Sequence, residues 1–154
     1  MGVFLYPMVT IKQATEAELN DIAPLFNAYR VFYGQTPNET AALAFIEDRF
    51  VKKDSIIFLA YEKQVPVGFT QLYPTFSSVS LKASLILNDL YVIEANRNAG
   101  IAKRLLDTAK IYCRNNSYKG LSLETATDNP AQHLYEKLSW KKDVHCFHYF
   151  WSAK

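Results

Sequence analysis

The order of hydrophobic and polar positions predicts strands and amphipathic helices that alternate along the chain. Apolar runs rich in β-branched and aromatic residues are typical of strands. They lie at residues 9–13, 55–62, 67–73, 85–93 and 121–126, with one or two closing strands over 140–151. Apolar positions spaced three and four residues apart are typical of helices. They lie at residues 15–33, 37–52, 100–115 and 130–138.

Capping and turn residues mark several of these boundaries. Thr15 with Glu18 three residues later is a capping-box sequence that opens the first helix, and Gly34 ends it. Pro37 suits the first turn of the second helix. The letters KQVP predict a hairpin turn between two strands, whereas the Ser- and Phe-containing residues 75–83 predict a loop.

The predicted element order, β-α-α-β-β-β-α-β-α-β-β, indicates an α/β protein of mixed (α+β) type. Antiparallel hairpins come first. The strand at 85–93, the helix at 100–115 and the strand at 121–126 then form a crossover, whose two strands should be parallel with a right-handed connection. A length of 154 residues predicts one domain, 1–154.

Composition narrows the partners that we expect. There is no run of about 18 apolar residues, so no membrane span is expected, and the apolar N-terminus lacks the features of a signal peptide. We therefore expect a cytoplasmic protein. The net charge is +2 without a basic stripe, which argues against a nucleic-acid partner. Two cysteines, Cys113 and Cys146, are too few for a disulfide framework and are predicted to be buried thiols.

The segment RNAGIAKRLL, residues 97–106, predicts an anion site. It follows the strand LILNDLYVI, and a strand, turn and helix in this order present free N–H groups and a positive dipole end to a phosphate. One glycine and too few β-α-β units argue against a dinucleotide-binding fold. Basic residues around this segment either form a solvated helix face or a rim for phosphates. They are Arg97, Lys103, Arg104, Lys110, Arg114 and Lys119.

The spacing Arg97-x-x-Gly100-x-Ala102, with LNDLYV before it and TDNPAQHLYEKLSW after it, resembles the GNAT acetyltransferase superfamily. The sequence QLYPTFSS followed by LNDLYV is similar to a small histone- and polyamine-acetylating branch. The resemblance implies a central, mixed, mostly antiparallel twisted sheet of six to seven strands with about four helices on its faces. It also implies a splayed pair of parallel strands that admits the pantetheine arm of acetyl-CoA.

Acetyl-CoA is therefore the cofactor that the resemblance implies. The backbone of Leu90, Tyr91 and Val92 would pair with pantetheine, and Asn129 would fix its amide arm. The spacing to the last helix departs from many members, so Asp128 could fill the position of Asn129. The pyrophosphate would lie over the turn and the start of the helix. That site comprises Arg97, Asn98, Ala99, Gly100, Ile101, Ala102 and Lys103.

The resemblance also implies the groups that move protons. Tyr135 would protonate the leaving thiolate or hydrogen-bond its sulfur. Family members often hold a glutamate base where this chain has Asn88, which cannot act as one. Asp89 would point to the opposite face of an unbroken strand, although a bulge would change that. Our hypothesis is that Asp89 or Glu124 relays the amine proton through water.

Aromatic residues of the first two helices and of the 75–83 loop would line the acceptor mouth, unless they serve core packing alone. Aromatic rings attract a cationic amine. The acceptor-side residues are Tyr29, Tyr33, Tyr73 and Asn88, near Arg30, Phe32, Phe76 and Ser77. The three histidines, His133, His145 and His148, have no metal-ligand spacing, so no metal is expected.

We therefore expect an N-acetyltransferase in which a primary amine attacks acetyl-CoA directly in a ternary complex. The acceptor is a polyamine, an amino acid or a peptide lysine, in that order of preference. The alternative is a non-catalytic acyl-CoA-binding regulatory module, which Asn88 in place of a glutamate leaves open. A homodimer is expected by association with the superfamily, with the aromatic segment HCFHYFW as a candidate dimer strand.

Overall fold

The computed structural model describes residues 8–153. These residues form two compact units, one up to Glu124 and one from Thr125 onward. The first unit holds the sheet and three helices, and the second holds one short helix. The expectation of one domain over 1–154 stays a prediction.

A five-stranded sheet in the order β1-β2-β3-β4-β5 is the framework of the first unit. Neighbouring strands from β1 to β4 are antiparallel, and β4 and β5 are parallel. The strands are β1 (Val9–Gln13), β2 (Ile56–Glu62), β3 (Val65–Ser77), β4 (Lys82–Val92) and β5 (Leu121–Ser122). The predicted mixed, mostly antiparallel sheet with one parallel pair is confirmed.

The described part of the chain forms four α-helices, as predicted. They are α1 (Leu19–Phe32), α2 (Glu39–Lys52), α3 (Ile101–Asn115) and, in the second unit, α4 (Ala131–Lys137). The prediction that Pro37 lies in the first turn of α2 is wrong. Asn38 caps α2, because its Oδ1 accepts a hydrogen bond from Ala41 N at 3.0 Å, and Pro37 precedes this cap.

The predicted capping box at the start of the first helical segment is confirmed. Oε2 of Glu18 accepts hydrogen bonds from Thr15 N at 2.7 Å and from Thr15 Oγ1 at 2.8 Å. Lys12 pairs with Oε1 of the same carboxylate. Hydrogen bonds from Lys12 and Thr15 lower the pKa of Glu18 to about 2. The box holds a short 3-10 turn that leads into α1.

The prediction of a loop at residues 75–83 is wrong, because β3 and β4 form one long hairpin there. Their pairing continues through Thr75 with Ser84 to Ser77 with Lys82. The turn closes around Leu81, whose φ of +53° is left-handed. Two long strands satisfy each other's backbone groups, so serines are tolerated where side chains face solvent.

Helices cover the sheet on both faces. The α1 and α2 side packs Ile22, Phe26 and Ile46 into one cluster with Ile57, Leu59 and Phe69 of the sheet. The apolar stripe of α3 includes buried Leu105, Leu106 and Cys113, and α3 contacts β2, β3 and β4. Cys113 is buried as predicted, but Cys146 is exposed, so the prediction of two buried thiols is half wrong.

The predicted count of six to seven strands is also wrong for the described residues, which form five. The strand predicted at 121–126 is reduced to β5, and 140–151 contains no strand. Phe147, Tyr149 and Trp151 are exposed in that segment. Aromatic residues favour strands only where a neighbouring strand offers a partner, and none pairs with this segment among residues 8–153. No helix in the described range has the length and hydropathy needed to cross a membrane.

Candidate functional site

A β-bulge in β4 decides where the candidate base points. Gln71 of β3 pairs with Asp89, but the next residue, Leu72, pairs with Leu87, so Asn88 is the extra residue. Directly opposed residues share a face of the sheet, and consecutive residues of β3 point to opposite faces. Asp89 therefore leaves the face of Leu87 and joins the face of Gln71. The bulge that the hypothesis for Asp89 requires is therefore present.

The Asp89 carboxylate is buried and held by three side chains. The residue is 3% exposed. Its Oδ2 accepts a hydrogen bond from Gln71 Nε2 at 2.6 Å, and its Oδ1 accepts one from Asn88 Nδ2 at 3.0 Å. Burial raises the pKa of Asp89, and hydrogen bonds from Gln71, Tyr29 and Asn88 offset part of that rise. A raised pKa makes this carboxylate a stronger base than an exposed one.

Asp89 and Asn88 form part of the wall of a cavity of about 460 Å³. A cavity of this size suits a small molecule. The remaining wall comes from α1, α2 and β3, and it is largely aromatic. The lining residues are Phe26, Tyr29, Arg30, Ala41, Ala42, Phe45, Tyr73, Asn88 and Asp89.

Helix spacing explains how α1 and α2 reach the cavity. Phe26, Tyr29 and Arg30 are three and four residues apart, which places them on one face of α1. Ala41 and Phe45 have the same spacing on α2. The rings of Phe26 and Phe45 stack at 5.6 Å between their centroids. Small alanines beside these rings leave the space that the cavity occupies.

Two tyrosine hydroxyls border the Asp89 carboxylate. Burial and the charge of Asp89 raise the pKa of Tyr29 well above its ordinary value and that of Tyr73 to about 12. Both phenols therefore stay protonated and act as hydrogen-bond donors at physiological pH. The Tyr29 hydroxyl also lies 3.4 Å from the carbonyl oxygen of Asn88.

Three of the four predicted acceptor-side residues, Tyr29, Tyr73 and Asn88, line this cavity. Tyr33 does not line it: it follows α1, is 53% exposed and packs edge-on against Tyr29 at 5.0 Å. Glu124, the second predicted base, is exposed beyond the end of β5 and does not line the cavity.

The turn before α3 has the geometry of an anion site. Asn98 and Gly100 both have left-handed backbones, with φ of +60° and +78°. Asparagine and glycine are the residues that adopt this conformation most readily, so both positions suit the turn. No side chain caps α3 at Gly100, and the first N–H groups of a helix have no partner within it. The N–H groups of Ile101 and Ala102 are thus available to an anion.

Arg97 is fixed beside this turn. Its Nε donates a hydrogen bond to the carbonyl oxygen of Val92 at 2.9 Å. Its guanidinium carbon lies 5.3 Å from the ring centroid of Phe32 and 5.7 Å from that of Tyr91. Other basic residues of the segment are engaged elsewhere: Lys103 pairs with Asp107 at 2.6 Å.

One edge of β4 is open beside these groups. The pairing of β4 with β5 covers only Leu85 and Ile86, and β4 continues to Val92. Among the described residues, no strand pairs with this edge at Leu90–Val92, whereas the other edge is paired with β3. The prediction of a parallel pair that splays apart therefore agrees with the register. An extended ligand could add to this edge as a strand does.

The second unit holds the other two predicted residues. Asn129 Oδ1 accepts a hydrogen bond from Ala131 N at 2.9 Å, so this side chain stabilises the start of α4. Its Nδ2 is the group that a cofactor contact would use. Tyr135 is half-buried on α4, with its ring centroid 6.1 Å from that of Trp140.

Residue patterns missed several residues that build the site. Gln71 is fully buried and donates a hydrogen bond to Asp89, yet the sequence analysis does not single it out. A signal is present in the sequence, because Thr70 and Gln71 are polar residues inside a largely apolar strand. Phe26 and Phe45 look like ordinary core residues on amphipathic helices. Among the described residues, no cluster of His, Cys, Asp and Glu could hold a metal ion.

Comparison with known proteins gives consistent matches. The model of the acetyltransferase (GNAT) family matches residues 19–140. A Bacillus subtilis (strain 168) protein named uncharacterized N-acetyltransferase YhfO is 44% identical over 142 residues, which are 92% of this chain and 95% of that protein. A crystal structure of a probable acetyltransferase has a TM-score of 0.88 at 38% identity and covers 94% of this chain and 98% of that one.

A more distant match extends the likeness in fold. The structure of the aminoglycoside N-acetyltransferase AAC(6')-Iy in complex with CoA has a TM-score of 0.77 at 19% identity. It covers 95% of this chain and 96% of that one. At this identity the likeness shows the fold alone.

Proposed function

Since the chain belongs to the GNAT family of acetyltransferases, we propose that it transfers an acetyl group from acetyl-CoA to a primary amine held in the cavity of the first unit. The observation that carries this proposal is the bulge at Asn88, because it turns the Asp89 carboxylate into the cavity wall. Asn88 cannot act as a base, but Asp89, the next residue along the chain, can.

The acceptor amine must lose a proton before it attacks. A lysine-like amine with a pKa near 10.4 is neutral in roughly one molecule in a thousand at pH 7. Asp89 receives that proton through water in the cavity, and its raised pKa favours the transfer. Gln71 and Asn88 hold the two carboxylate oxygens in place, so the base is positioned before the amine arrives.

The aromatic wall suits the charged form of the same amine. Tyr29, Tyr73, Phe26 and Phe45 present rings to the cavity, and an ammonium group is attracted to such rings. The Asp89 carboxylate adds a direct electrostatic attraction. The protonated amine is thus bound next to the group that deprotonates it.

The residues of the turn and of β4 fit acetyl-CoA. The left-handed backbone at Gly100 and the uncapped start of α3 offer N–H groups to the pyrophosphate, with Arg97 fixed alongside. The open edge at Leu90–Val92 offers backbone groups to the pantetheine amides. The structure of AAC(6')-Iy in complex with CoA supports the same ligand for this fold. When bound, acetyl-CoA supplies the acetyl group as a thioester.

From the family resemblance, we assign Tyr135 to the leaving group. Its phenol donates a hydrogen bond or a proton to the sulfur as the acetyl group departs. The amine attacks directly in the ternary complex, without an acyl-enzyme. Cys113 supports this, because its thiol is buried on α3 against the carbonyl of Tyr118 at 3.9 Å and does not line the cavity.

Thiol release from acetyl-CoA with pooled acceptors tests the proposal. The pools contain polyamines, free amino acids and lysine-bearing peptides. We expect release above background with at least one pool. Tyr135→Phe should lower kcat about tenfold or more, whereas Tyr149→Phe, an exposed tyrosine of the same unit, should leave kcat unchanged.

The same assay addresses the acyl-CoA-binding module. Binding of acetyl-CoA without thiol release from any pool would contradict the proposed transfer and favour that module. The non-catalytic module is considered because Asn88 takes the place of a glutamate base. Asp89 lines the same cavity and provides the carboxylate that Asn88 lacks.

A further inference from the structure

Arg30 introduces an uncompensated positive charge into the acceptor cavity. It lines the cavity from α1, on the same helix face as Phe26 and Tyr29. Its Nη1 is buried and has no hydrogen-bond partner among the described residues. A buried donor on a charged group costs free energy when it is left without a partner. Because Arg30 is only half-buried and lines the cavity, a negatively charged ligand there would supply the counter-ion that this side chain lacks.

A second arginine, on α2, also has a buried nitrogen without a hydrogen-bond partner among the described residues, its Nε, but carboxylates neutralise its charge. Arg49 of α2 forms ion pairs with Asp48 and, at 3.1 Å, with Asp54. Its guanidinium also lies 4.8 Å from the ring centroid of Phe45. Arg30 has no ion pair within residues 8–153. Arg30 is therefore the cavity-lining cation that lacks an internal counter-ion.

Two opposite charges thus share one cavity without touching. Asp89 lines the cavity from β4 and Arg30 lines it from α1, and the two side chains form no ion pair. The volume between the walls is about 460 Å³, enough for a small organic molecule. A ligand with a positive group and a negative group would complement both walls at once.

We infer that the acceptor is an amino-carboxylate, whose primary amine faces Asp89 while its carboxylate is bound by Arg30. This inference rests on the proposed acetyl transfer and deepens it. The guanidinium presents planar, paired N–H donors that match the two oxygens of a carboxylate. Recognition by Arg30 makes the free amino acid the preferred acceptor class.

The charges of Arg30 and Asp89 favour polyamines and peptide lysines less than amino-carboxylates. A polyamine places a second cation in the cavity, where the positive charge of Arg30 repels that cation and gains no counter-ion from it. A lysine within a peptide brings neutral amide groups next to the amine in place of a carboxylate. The sequence analysis places polyamines first and amino acids second, whereas this inference places amino acids first.

Matched acceptors test the inference on the unaltered enzyme. Amino-carboxylates from β-alanine to its longer homologues are compared with their carboxamides and with diamines of equal length, using thiol release from acetyl-CoA. We expect kcat/KM for the best carboxylate to exceed that of its carboxamide and of the matched diamine about tenfold or more. The chain length at the optimum reports the separation between the two charged walls.

Arg30→Gln identifies the residue responsible. The charge is lost, so KM for the carboxylate acceptor should rise about tenfold to a hundredfold, with KM for the carboxamide changed less than about threefold. Lys52→Gln is the matched control, because Lys52 is an exposed cation on α2 that does not line the cavity. Arg30→Lys keeps the charge but lacks the planar donors. Its KM for the carboxylate acceptor should therefore lie between that of the unaltered enzyme and that of Arg30→Gln.

The outcomes separate the inference from the proposed function. Equal kcat/KM for carboxylates, carboxamides and diamines, or an equal rise in KM for all three in Arg30→Gln, would overturn the role of Arg30 and leave acetyl transfer intact. The absence of thiol release above background with every acceptor would overturn acetyl transfer itself. If Arg30→Gln does not fold, the acceptor comparison on the unaltered enzyme decides.

Discussion

Asp89, the proposed base, is a residue whose burial lowers the stability of the fold. Burial raises its pKa above the ordinary value of 3.8, so the charged form is disfavoured in the folded state. At neutral pH the fold therefore carries a carboxylate that is costly to bury, held by Gln71 and Asn88. A base of this kind is typical of functional sites. As the proposed base, Asp89 would lower the stability of the fold and raise the activity.

Asp89→Asn should therefore affect activity and stability differently. We expect kcat/KM to fall about a hundredfold or more, because the base is lost. The melting temperature should stay unchanged or rise, because a buried charge is removed and the new amide can donate to Gln71 Oε1, which is buried without a partner among the described residues. Steady-state kinetics and a thermal melt at pH 7 measure both. A lower melting temperature with unchanged kcat/KM would make Asp89 a structural residue.

The turn before α3 shows what an element contributes beyond its individual side chains. Gly100 has open space around its Cα, so no steric clash requires glycine there. Its φ of +78° does require it, since residues with a Cβ are strained in this conformation. The glycine therefore shapes the backbone that would bind the pyrophosphate.

Gly100→Ala should raise KM for acetyl-CoA about fivefold or more, because strain distorts the turn. Gly34→Ala is a matched control: Gly34 also has a left-handed backbone, with φ of +86°, and open space around it, but it lies after α1. Both changes should cost about 1 kcal/mol of stability. Steady-state kinetics and chemical denaturation measure the effects. Equal KM values for the two variants would argue against this turn as the cofactor site.

The capping box before α1 makes stability depend on pH. The pKa of Glu18 is lowered from 4.5 to about 2 in the folded state, so its contribution is present above pH 4.5 and is lost as pH falls toward about 2. Glu18→Gln should destabilise the protein by about 1 to 2 kcal/mol at pH 7. The difference in unfolding free energy between Glu18→Gln and the unaltered protein should become smaller in acid.

Urea denaturation at a series of pH values checks this. Glu16→Gln, an exposed glutamate of the same 3-10 turn, is the control and should have little effect at any pH. A Glu18→Gln deficit that persists undiminished in strong acid would contradict the pH dependence.

Cofactor binding should raise the stability of the folded protein as a whole. A ligand that binds only the folded state stabilises it by about 2.7 kcal/mol at a hundred times its Kd. For a chain of 154 residues this corresponds to a rise in melting temperature of about 5 to 10 °C. CoA should produce this shift, and pantetheine, which lacks the pyrophosphate, should produce a smaller one. No shift with CoA would contradict the proposed cofactor.

Much of the fold follows from local sequence. The strands β1, β2 and β4, the four helices and the capping box at Thr15 were predicted close to their observed bounds, because periodicity and capping act over a few residues. The resemblance to the GNAT family rests on the spacing around Gly100 and on the motifs that flank it, and the matched relatives confirm the family. The histone- and polyamine-acetylating branch, the homodimer and the cytoplasmic location stay predictions.

Tertiary structure decided the rest, because the remaining features depend on partners distant in sequence. Pairing of β3 with β4 turned the predicted loop at 75–83 into a hairpin and placed the bulge at Asn88. Without that register, the sequence could not say which face Asp89 occupies. The packing of α1 and α2 over the sheet brought Arg30 into the cavity that Asp89 lines. The sequence by itself determined the family and the chemistry available, and the register and packing determined which side chains meet.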